Sequence, residues 1–323
     1  MNTENSVEIE NIDVAERDIF TDSTEELENN DMQLDDDTLR HMLSSGDALD
    51  EEELYVLTAK KNTRIIYILG PVGSGKTTFE AMIYQCFLKT IDDELWFAGS
   101  ETLQGYERRL NNLRLISGNS AARMERTNIK ERNCFLQLHL YNKYKQENYS
   151  IVFADISGEI FNRCTANKTN MEEDLINLDL AQNIVLFIDG EALLDKSRRQ
   201  GAVSQLRTFL QTLKSSNLYS PNCCIDIVIS KNDIIYDKLK EDKEHYIENI
   251  ENKFNDLKDD FVIKFYRIEA LNGNNIKDTT NSTSLIKLLK LWLNTDDKED
   301  IRYTIESSPQ ELKNEFNRFG EKG

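Results

Sequence analysis

Short apolar runs alternate with longer amphipathic runs between about residue 60 and residue 294. The short runs have the length and composition of buried strands, and the longer runs repeat their apolar residues at helical spacing. This alternation predicts an α/β fold with a mostly parallel sheet. We predict strands at Arg64–Leu69, Cys134–Leu140, Ile151–Asp155, Asn183–Ile188, Cys224–Ile229 and Val262–Ile268. We predict helices at Lys76–Leu88, Gln200–Leu213, Lys243–Leu257 and Ser284–Leu293.

The second and third predicted strands follow each other without a helix between them. The segment NKYKQENY that separates them is typical of a hairpin. We therefore expect the second strand to be antiparallel to its neighbour, and one antiparallel strand in an otherwise parallel sheet is common.

Residues 91–132, which precede the second strand, form a polar and charged stretch that we interpret as an insertion. Leu103, Tyr106, Leu110 and Leu113 recur within it at helical spacing. We therefore expect a helix in the insertion, with these four side chains on one face.

The negative charge of the chain is concentrated at its N-terminus. The 323 residues carry a net charge of −19, and residues 1–53 alone contain 19 acidic and two basic side chains. Such a segment does not bury enough apolar area to offset the entropy of ordering. We predict a disordered acidic tail at 1–55, a domain at 56–295 and a charged C-terminal tail with a short helix at 296–323. The body is close to neutral, so we expect no nucleic-acid partner.

The cysteines and the apolar runs bear on the cellular location. The five cysteines form no Cys-x-x-Cys pair, which favours reduced thiols over disulfides or a zinc site. The N-terminus lacks a signal pattern, and no apolar run reaches the ~18 residues that span a bilayer. We therefore predict a cytoplasmic protein without membrane contact. The run LIKLLKLWLN has the alternative interpretation of a membrane anchor, but its apolar residues cover too much of the helix, which favours core packing.

The segment GPVGSGKTT follows the first predicted strand and opens the first predicted helix. Gly70, Gly75, Lys76 and Thr77 fill the pattern G-x-x-x-x-G-K-[ST]. Backbone N–H groups of such a loop surround a phosphate, its lysine contacts the β- and γ-phosphates, and its threonine ligates Mg²⁺. The predicted phosphate-binding residues are Gly70, Pro71, Val72, Gly73, Ser74, Gly75, Lys76, Thr77 and Thr78. The loop does not distinguish ATP from GTP.

The segment IVFADISGE places an aspartate at the end of a buried strand. Asp155 could hold Mg²⁺ through water beside the phosphate loop, and the N–H of Gly158 could approach the γ-phosphate. The quartet D-x-x-G occurs often by chance. Its position after a strand and downstream of a phosphate loop makes it a more specific indication of a nucleotide site. We predict a switch that senses hydrolysis.

The segment IVISKNDII supplies the candidate base-reading residues. Lys231 and Asp233 follow a buried strand, at the sheet edge where doubly wound folds bind ligands. A carboxylate at Asp233 can accept hydrogen bonds from N1–H and the 2-amino group of guanine, an arrangement that adenine lacks. The lysine stem would pack on the ring, and the N–H of Ala270 could meet the guanine carbonyl oxygen.

Taken together and in this order, GPVGSGKT, DISGE and SKND resemble the TRAFAC class of Ras-like P-loop GTPases over about residues 60–294. WFAGSETLQGYERRL, FADISGE and IDGEALL resemble one bacterial branch, the double-GTPase type domains. The resemblance implies a three-layer P-loop NTPase fold, that is, a Ras-like G domain with a helical insertion. It also implies binding of GTP or GDP with Mg²⁺ and a role in bacterial defence or signalling.

The match to this class departs from the usual pattern at two positions. Ser230 opens the base motif where Asn or Thr is usual, and Glu269 precedes Ala270 where Ser is usual.

The threonine of the first switch would be a third metal-site residue beside Thr77 and Asp155. It has no diagnostic neighbours in the sequence. We assign it to Thr127, with Thr102 as the alternative.

The residue after the D-x-x-G quartet governs the expected rate of hydrolysis. Glu159 stands where many relatives have a glutamine that orients water, and its negative charge would lie near a polyanion. Val72 would crowd the γ-phosphate. We therefore predict slow hydrolysis that depends on Lys76, Gly158 and Glu159.

A partner or self-association would accelerate this hydrolysis. An arginine supplied in trans raises rates by about 10³–10⁵ in related systems. Arg198 and Arg199 are candidates for such an arginine, although a solvated basic pair is the preferred interpretation. We expect an effector or activating protein, or a homo-oligomer.

Two other functions remain open at the level of sequence. One is a nucleotide-binding scaffold that does not hydrolyse its ligand. The other is an ATP-using P-loop enzyme, which is disfavoured because the sequence has no evident substrate lid and no recurring ATPase arginine motif.

Overall fold

Seven strands form one sheet in the part of the chain that the structure describes. The computed structural model describes residues 46–89, 92–117, 134–270 and 282–293. The strands are β1 (Thr63–Leu69), β2 (Leu95–Gly99), β3 (Cys134–Asn142), β4 (Glu147–Asp155), β5 (Ala181–Asp189), β6 (Cys224–Ser230) and β7 (Ile263–Arg267). The α-helices are α1 (Glu51–Lys60), α2 (Lys76–Leu88), α3 (Leu103–Ser117), α4 (Gly158–Ala166), α5 (Lys168–Asp174), α6 (Gly190–Leu194), α7 (Arg199–Ser216), α8 (Asn232–Leu239), α9 (Lys243–Glu251) and α10 (Ser282–Leu293). Three 3₁₀ helices lie at Leu178–Leu180, Lys240–Asp242 and Asn252–Leu257.

The strand order across the sheet is β2-β3-β4-β1-β5-β6-β7. Strands β4, β1, β5, β6 and β7 pair in parallel, whereas β3 is antiparallel to both β2 and β4. The predicted sheet, mostly parallel with one antiparallel strand, is confirmed. All six predicted strands are present, with bounds that differ by a few residues at the most.

Helices cover both faces of the sheet. Because side chains alternate along a strand, Ile66 and Ile68 of β1 pack with α2, α3 and α10, and Tyr67 packs on the opposite face with α4 and α7. All seven residues of β1 are buried, as expected for a central strand of a parallel sheet. The three-layer α/β prediction is confirmed.

The insertion contains the predicted helix and a strand that the pattern does not reveal. In α3, Tyr106, Leu110 and Leu113 are buried as predicted, but Leu103 in the first turn is 42% exposed. Strand β2 has five residues at the sheet edge, and one of its two faces is partly exposed, with Trp96 at 44%. It therefore carries too little apolar signal to separate it from the polar stretch around it.

The predicted tail boundary at residue 55 is wrong, because ordered structure reaches back at least to residue 46. Leu49 forms an isolated bridge with Phe135, and Leu54 lies in the core. The acidic residues that made this segment resemble a tail have a local role. The Asp50 carboxylate accepts from the Glu53 N–H, and the Glu53 side chain accepts from the Asp50 N–H, which forms a capping box for α1.

Other predictions about segments and cysteines have mixed outcomes. Residues 1–45 of the predicted tail and the C-terminal tail at 296–323 lie outside the described residues. The five cysteines are all free thiols.

Helix α10 buries Leu285, Leu289 and Trp292 in the core, which supports core packing over a membrane anchor. Among the described helices, none combines the length and apolarity needed to cross a membrane.

Candidate functional site

The predicted site residues meet at the carboxyl edge of the parallel strands. Strand β1 lies between β4 and β5, and β6 pairs with β5. Residue pairing places Ile68 of β1 beside Asp155 of β4, and Asp189 of β5 beside Ser230 of β6. The loops that follow these strands therefore line one edge, where open α/β sheets bind ligands.

The phosphate loop depends on three glycines in backbone conformations that side chains rarely adopt. Gly70, Gly73 and Gly75 have φ values of 149°, 79° and 92°. A Cβ on Gly70 would lie 2.7 Å from the Phe187 carbonyl oxygen, so this position also needs the space. Gly75 caps α2 without a side chain, which leaves the first N–H groups of the helix for an anion.

The other residues of the loop differ in their exposure. Val72 is 44% exposed, Pro71 is half-buried, and the Ser74 hydroxyl is buried without a hydrogen-bond partner among the described residues. Thr77 and Thr78 are half-buried in the first turn of α2. The glycine backbone and the half-buried threonines are compatible with the predicted phosphate binding.

Lys76 is buried and folded back on the phosphate loop. Its Nζ donates to the Gly70 carbonyl oxygen at 2.8 Å and to the Pro71 carbonyl oxygen at 3.2 Å. Burial lowers the pKa of its ammonium, and nearby carboxylates, led by Asp155, act in the opposite direction. The cation is thus held at the mouth of the loop by groups that a phosphate oxygen can replace.

Asp155 lies at the end of β4 and is almost fully buried. Its Oδ2 pairs with Nη2 of Arg109 at 3.1 Å, while its Oδ1 has no hydrogen-bond partner among the described residues. Strand β4 pairs with β1, which leads into the loop that carries Thr77. A buried carboxylate oxygen without a partner on this neighbouring strand fits a site for hydrated Mg²⁺. The donor set is therefore compatible with the predicted metal.

Gly158 begins α4 in direct contact with the phosphate loop. A Cβ at this position would lie 2.4 Å from the Val72 backbone nitrogen and 2.6 Å from its Cγ2. Ser157 caps the helix by accepting from the Ile160 N–H at 3.2 Å. The next residue, Glu159, is half-buried and close enough to Lys76 to raise its pKa. The structure thus brings all three predicted catalytic residues together.

The segment Ser230–Asp233, here called the base loop, begins with a buried serine. The Ser230 hydroxyl donates to the Ile188 carbonyl oxygen at 3.3 Å. Lys231 adopts the left-handed region, with φ 51°, and its Nζ pairs with Asp189 at 3.0 Å and with Glu191 at 3.5 Å. Gly190 contacts this loop so closely that a Cβ would lie 2.4 Å from the Ser230 carbonyl oxygen. The IDGE segment after β5 therefore supports the base loop.

Asp233 is half-buried in the first turn of α8. Desolvation raises the pKa of its carboxyl. The end of β7 is tied to the same loop, since the Asn232 N–H donates to the Ile268 carbonyl oxygen at 3.2 Å and the Asn232 amide donates to Glu269 at 3.2 Å. Ala270 follows directly and is half-buried.

Four further predicted candidates have different outcomes. Thr127 lies outside the described residues. The alternative, Thr102, is buried, and its hydroxyl accepts from the Gln137 N–H at 2.8 Å, so it anchors α3 to β3. Arg198 pairs with Asp195, and Arg199 donates to the Leu193 carbonyl oxygen at 2.7 Å. Arg198 is therefore a solvated basic residue as interpreted, whereas Arg199 is half-buried and packs locally over Tyr246.

Sequence reasoning missed two charged residues at the site, Arg109 and Glu80. Glu80 is fully buried, Arg109 is mostly buried, and they face each other beside Asp155. A signal was present for Arg109, because it lies three residues after Tyr106 and one before Leu110 on the buried face of α3. An arginine on such a face requires an anion.

Comparison with known proteins bears on the identity of the chain. None of the curated proteins compared with it matches significantly. A solved structure of Methanosarcina barkeri Roco2 RocCORdC bound to GDP is 13% identical with a TM-score of 0.35, and the match covers 72% of this chain and 50% of that one. The model of the Double-GTPase 2 family matches residues 64–293, which confirms the resemblance inferred from the motifs. The chain belongs to the Double-GTPase 2 family.

Proposed function

We propose that the chain is a GTP-binding molecular switch that hydrolyses GTP slowly in the presence of Mg²⁺. Membership of the Double-GTPase 2 family supports GTP binding. The observation that carries the proposal is that the phosphate loop, Asp155 and the base loop with Asp233 share one edge of the sheet.

Each part of the nucleotide has a group to receive it. The backbone of the phosphate loop and Lys76 would hold the phosphates, and Asp233, the Lys231 stem and the Ala270 N–H would hold guanine. Thr77 would ligate Mg²⁺ and Asp155 would bind its water, with Thr127 as the proposed first-switch ligand. Bound Mg²⁺ neutralises charge on the phosphates.

The contact between Gly158 and Val72 supports the switch. Because α4 begins against the phosphate loop, a group that binds near Val72 acts directly on the first turn of this helix. Loss of the γ-phosphate would remove such a group, and α4 would then be free to change its position. An effector protein, an activating protein or a second copy would recognise the change, in a bacterial defence or signalling system as the family resemblance implies.

The proposal is tested by a binding titration with GTP and ATP, followed by phosphate release in the same samples. With Mg²⁺ present, GTP is expected to raise the melting temperature of the protein, and ATP is not. Equal protection by ATP would overturn guanine specificity. GTP binding without phosphate release would favour the interaction scaffold over the hydrolysing switch.

Glu159 is expected to set the rate of hydrolysis. Its carboxylate can accept a proton or a hydrogen bond from water, so Glu159→Ala should lower single-turnover phosphate release by about 100-fold. Glu159→Gln keeps an acceptor and removes a negative charge near the polyanion, so it should release phosphate at the wild-type rate or faster. The exposed residue Glu173 on α5 serves as the control when replaced by alanine. Unchanged rates in both Glu159 variants would exclude the role.

A further inference from the structure

A buried cluster of charges lies beside the phosphate loop and includes two residues without an assigned role. Arg109 on α3 pairs with Oδ2 of Asp155 at 3.1 Å, and its Nε lies 3.5 Å from Oε2 of Glu80 on α2. The side chains of Asp155 and Glu80 are 0% exposed, and that of Arg109 is 12% exposed. Three elements of the fold thus contribute to one ionic cluster.

Arg109 is itself held in place by its own helix. Its Nη1 donates to the Gly105 carbonyl oxygen at 3.3 Å, and Tyr106 and Leu110 beside it are fully buried. The planar guanidinium presents donors in fixed directions, so a guanidinium held in this way fixes the orientation of a carboxylate better than a lysine does. Arg109 can therefore determine how the Asp155 carboxylate is turned.

The two oxygens of Asp155 have different surroundings. Oδ2 accepts from Arg109, whereas Oδ1 accepts no hydrogen bond of normal geometry from the described residues. The Glu80 carboxyl is the nearest competitor for this carboxylate, because Asp155 is close enough to raise its pKa. Burying a carboxylate oxygen without a partner is unfavourable, so this arrangement calls for a ligand. Under the proposed function, that ligand is a water molecule of the hydrated metal ion.

We propose that Arg109 is a positioning residue for the magnesium site: it holds one oxygen of Asp155 and leaves the other for metal-bound water. This inference rests on the proposed function. Under this proposal, α3 contributes a residue to the nucleotide site. This helix lies in the segment between α2, the phosphate-loop helix, and β3. The alternative is that Arg109 only compensates the buried charge of Glu80.

The test measures how much MgCl2 is needed to slow the release of methylanthraniloyl-GDP from the full chain. This readout reports metal binding and needs no hydrolysis. Arg109→Gln is expected to raise the half-effective Mg²⁺ concentration by about tenfold or more, as is usual when outer-shell partners of a metal ligand are lost. Arg109→Lys keeps the positive charge but loses the planar set of guanidinium donors. We expect it to raise the half-effective Mg²⁺ concentration by a smaller factor than Arg109→Gln.

Arg108 gives a matched control one residue away. It is exposed and pairs with Asp47 at 2.5 Å, away from the cluster. Arg108→Gln removes the same group from the same helix, and its Mg²⁺ dependence should stay within about twofold of wild type, as expected for a surface ion pair. An equal effect in the Arg108 and Arg109 variants would overturn the proposal.

A double variant separates positioning from charge compensation and guards against misfolding. Arg109→Gln alone leaves Glu80 and Asp155 buried without their cation, so the fold can weaken. Burial and the neighbouring Asp155 raise the pKa of Glu80 well above its ordinary value. Combining Arg109→Gln with Glu80→Gln replaces this second carboxyl by a neutral amide that can donate to Asp155, and it should recover most of the lost melting temperature. A restored fold with a persistent Mg²⁺ defect supports positioning of Asp155. A return to wild-type Mg²⁺ dependence would show that Arg109 acts only on Glu80, and would overturn the proposal.

The failure of this inference differs from the failure of the proposed function. If wild-type protein binds GDP with Mg²⁺ dependence and Arg109→Gln behaves identically, the positioning role is excluded and GTP binding stands. If the wild-type chain binds no GDP at all, both proposals are overturned.

Discussion

Replacing Gly158 by alanine is expected to lower the stability of the fold by about 1–3 kcal/mol, as overpacking of a close contact does. The added Cβ would lie 2.4 Å from the Val72 backbone nitrogen and 2.7 Å from its Cα. Backbone atoms on both sides prevent a simple side-chain rearrangement, so either α4 or the phosphate loop must move. The melting temperature should fall by about 3–10 °C.

The same substitution should also slow hydrolysis. The phosphate loop and the first turn of α4 carry Lys76 and Glu159, and a displacement of about 1 Å near reacting groups can cost about 100-fold in rate. Single-turnover phosphate release, measured beside the melting temperature, checks both effects. A variant that melts and hydrolyses like the wild type would show that Gly158 does not hold α4 against the loop.

Gly201 provides the control for this glycine. It lies in α7, and a Cβ built on it meets nothing within 4 Å. Gly201→Ala therefore adds the same methyl group without a clash, and alanine is favoured over glycine in a helix by about 0.5–1 kcal/mol. We expect unchanged hydrolysis and an equal or slightly higher melting temperature.

Features that depend on neighbouring residues in the chain could be predicted from the sequence. The phosphate loop requires glycines, a lysine and a threonine at fixed local spacing, and Lys76–Leu88 has the predicted bounds. The strand ends predicted at Asp155 and Ile229 follow from apolar runs that stop at polar residues, and the second strand extends by one residue to Ser230. The parallel sheet then brings these separate motifs to one edge.

Features that depend on distant contacts could not be predicted with the same ease. The partners of Arg109, Glu80 and Asp155, lie 29 and 46 residues away, and only the folded sheet shows that they meet. The predicted tail at 1–55 includes the first half of the helix Glu51–Lys60 because net charge takes no account of capping, although Asp50 and Glu53 have the spacing of a capping box. The net charge of a segment does not depend on where its acidic residues stand, whereas a capping box needs two particular residues three positions apart.

Replacing Asp233 by asparagine is expected to reduce GTP affinity by about 100-fold or more. The proposed contact gives two hydrogen bonds to a charged acceptor, each worth about 1.5–3 kcal/mol. Asparagine keeps one acceptor but opposes the 2-amino group of guanine with a second donor. Xanthine has a carbonyl oxygen at that position, so XTP should bind the variant better than GTP does. Competition of both nucleotides against methylanthraniloyl-GDP measures the ratio.

Asp237 is the matched control, because it is an exposed aspartate on the same helix, one turn later. Asp237→Asn should leave the GTP-to-XTP ratio within about twofold of wild type, as expected for a surface substitution. Equal ratios in the wild type and the Asp233 variant would exclude Asp233 as the base reader and leave the ligand of the phosphate loop open.

The pH dependence of GTP binding gives an independent check of the same carboxylate. Desolvation raises the pKa of Asp233, with a smaller contribution from Asp237 in the same direction. Only the ionised form accepts both hydrogen bonds, so the affinity that depends on it is present above the raised pKa and is lost as the pH falls through it. This loss should begin at a higher pH than for an exposed aspartate. In Asp233→Asn no proton is taken up at this position, so the decrease should be absent from the residual GTP affinity of the variant, and its persistence there would assign the pH dependence to another group.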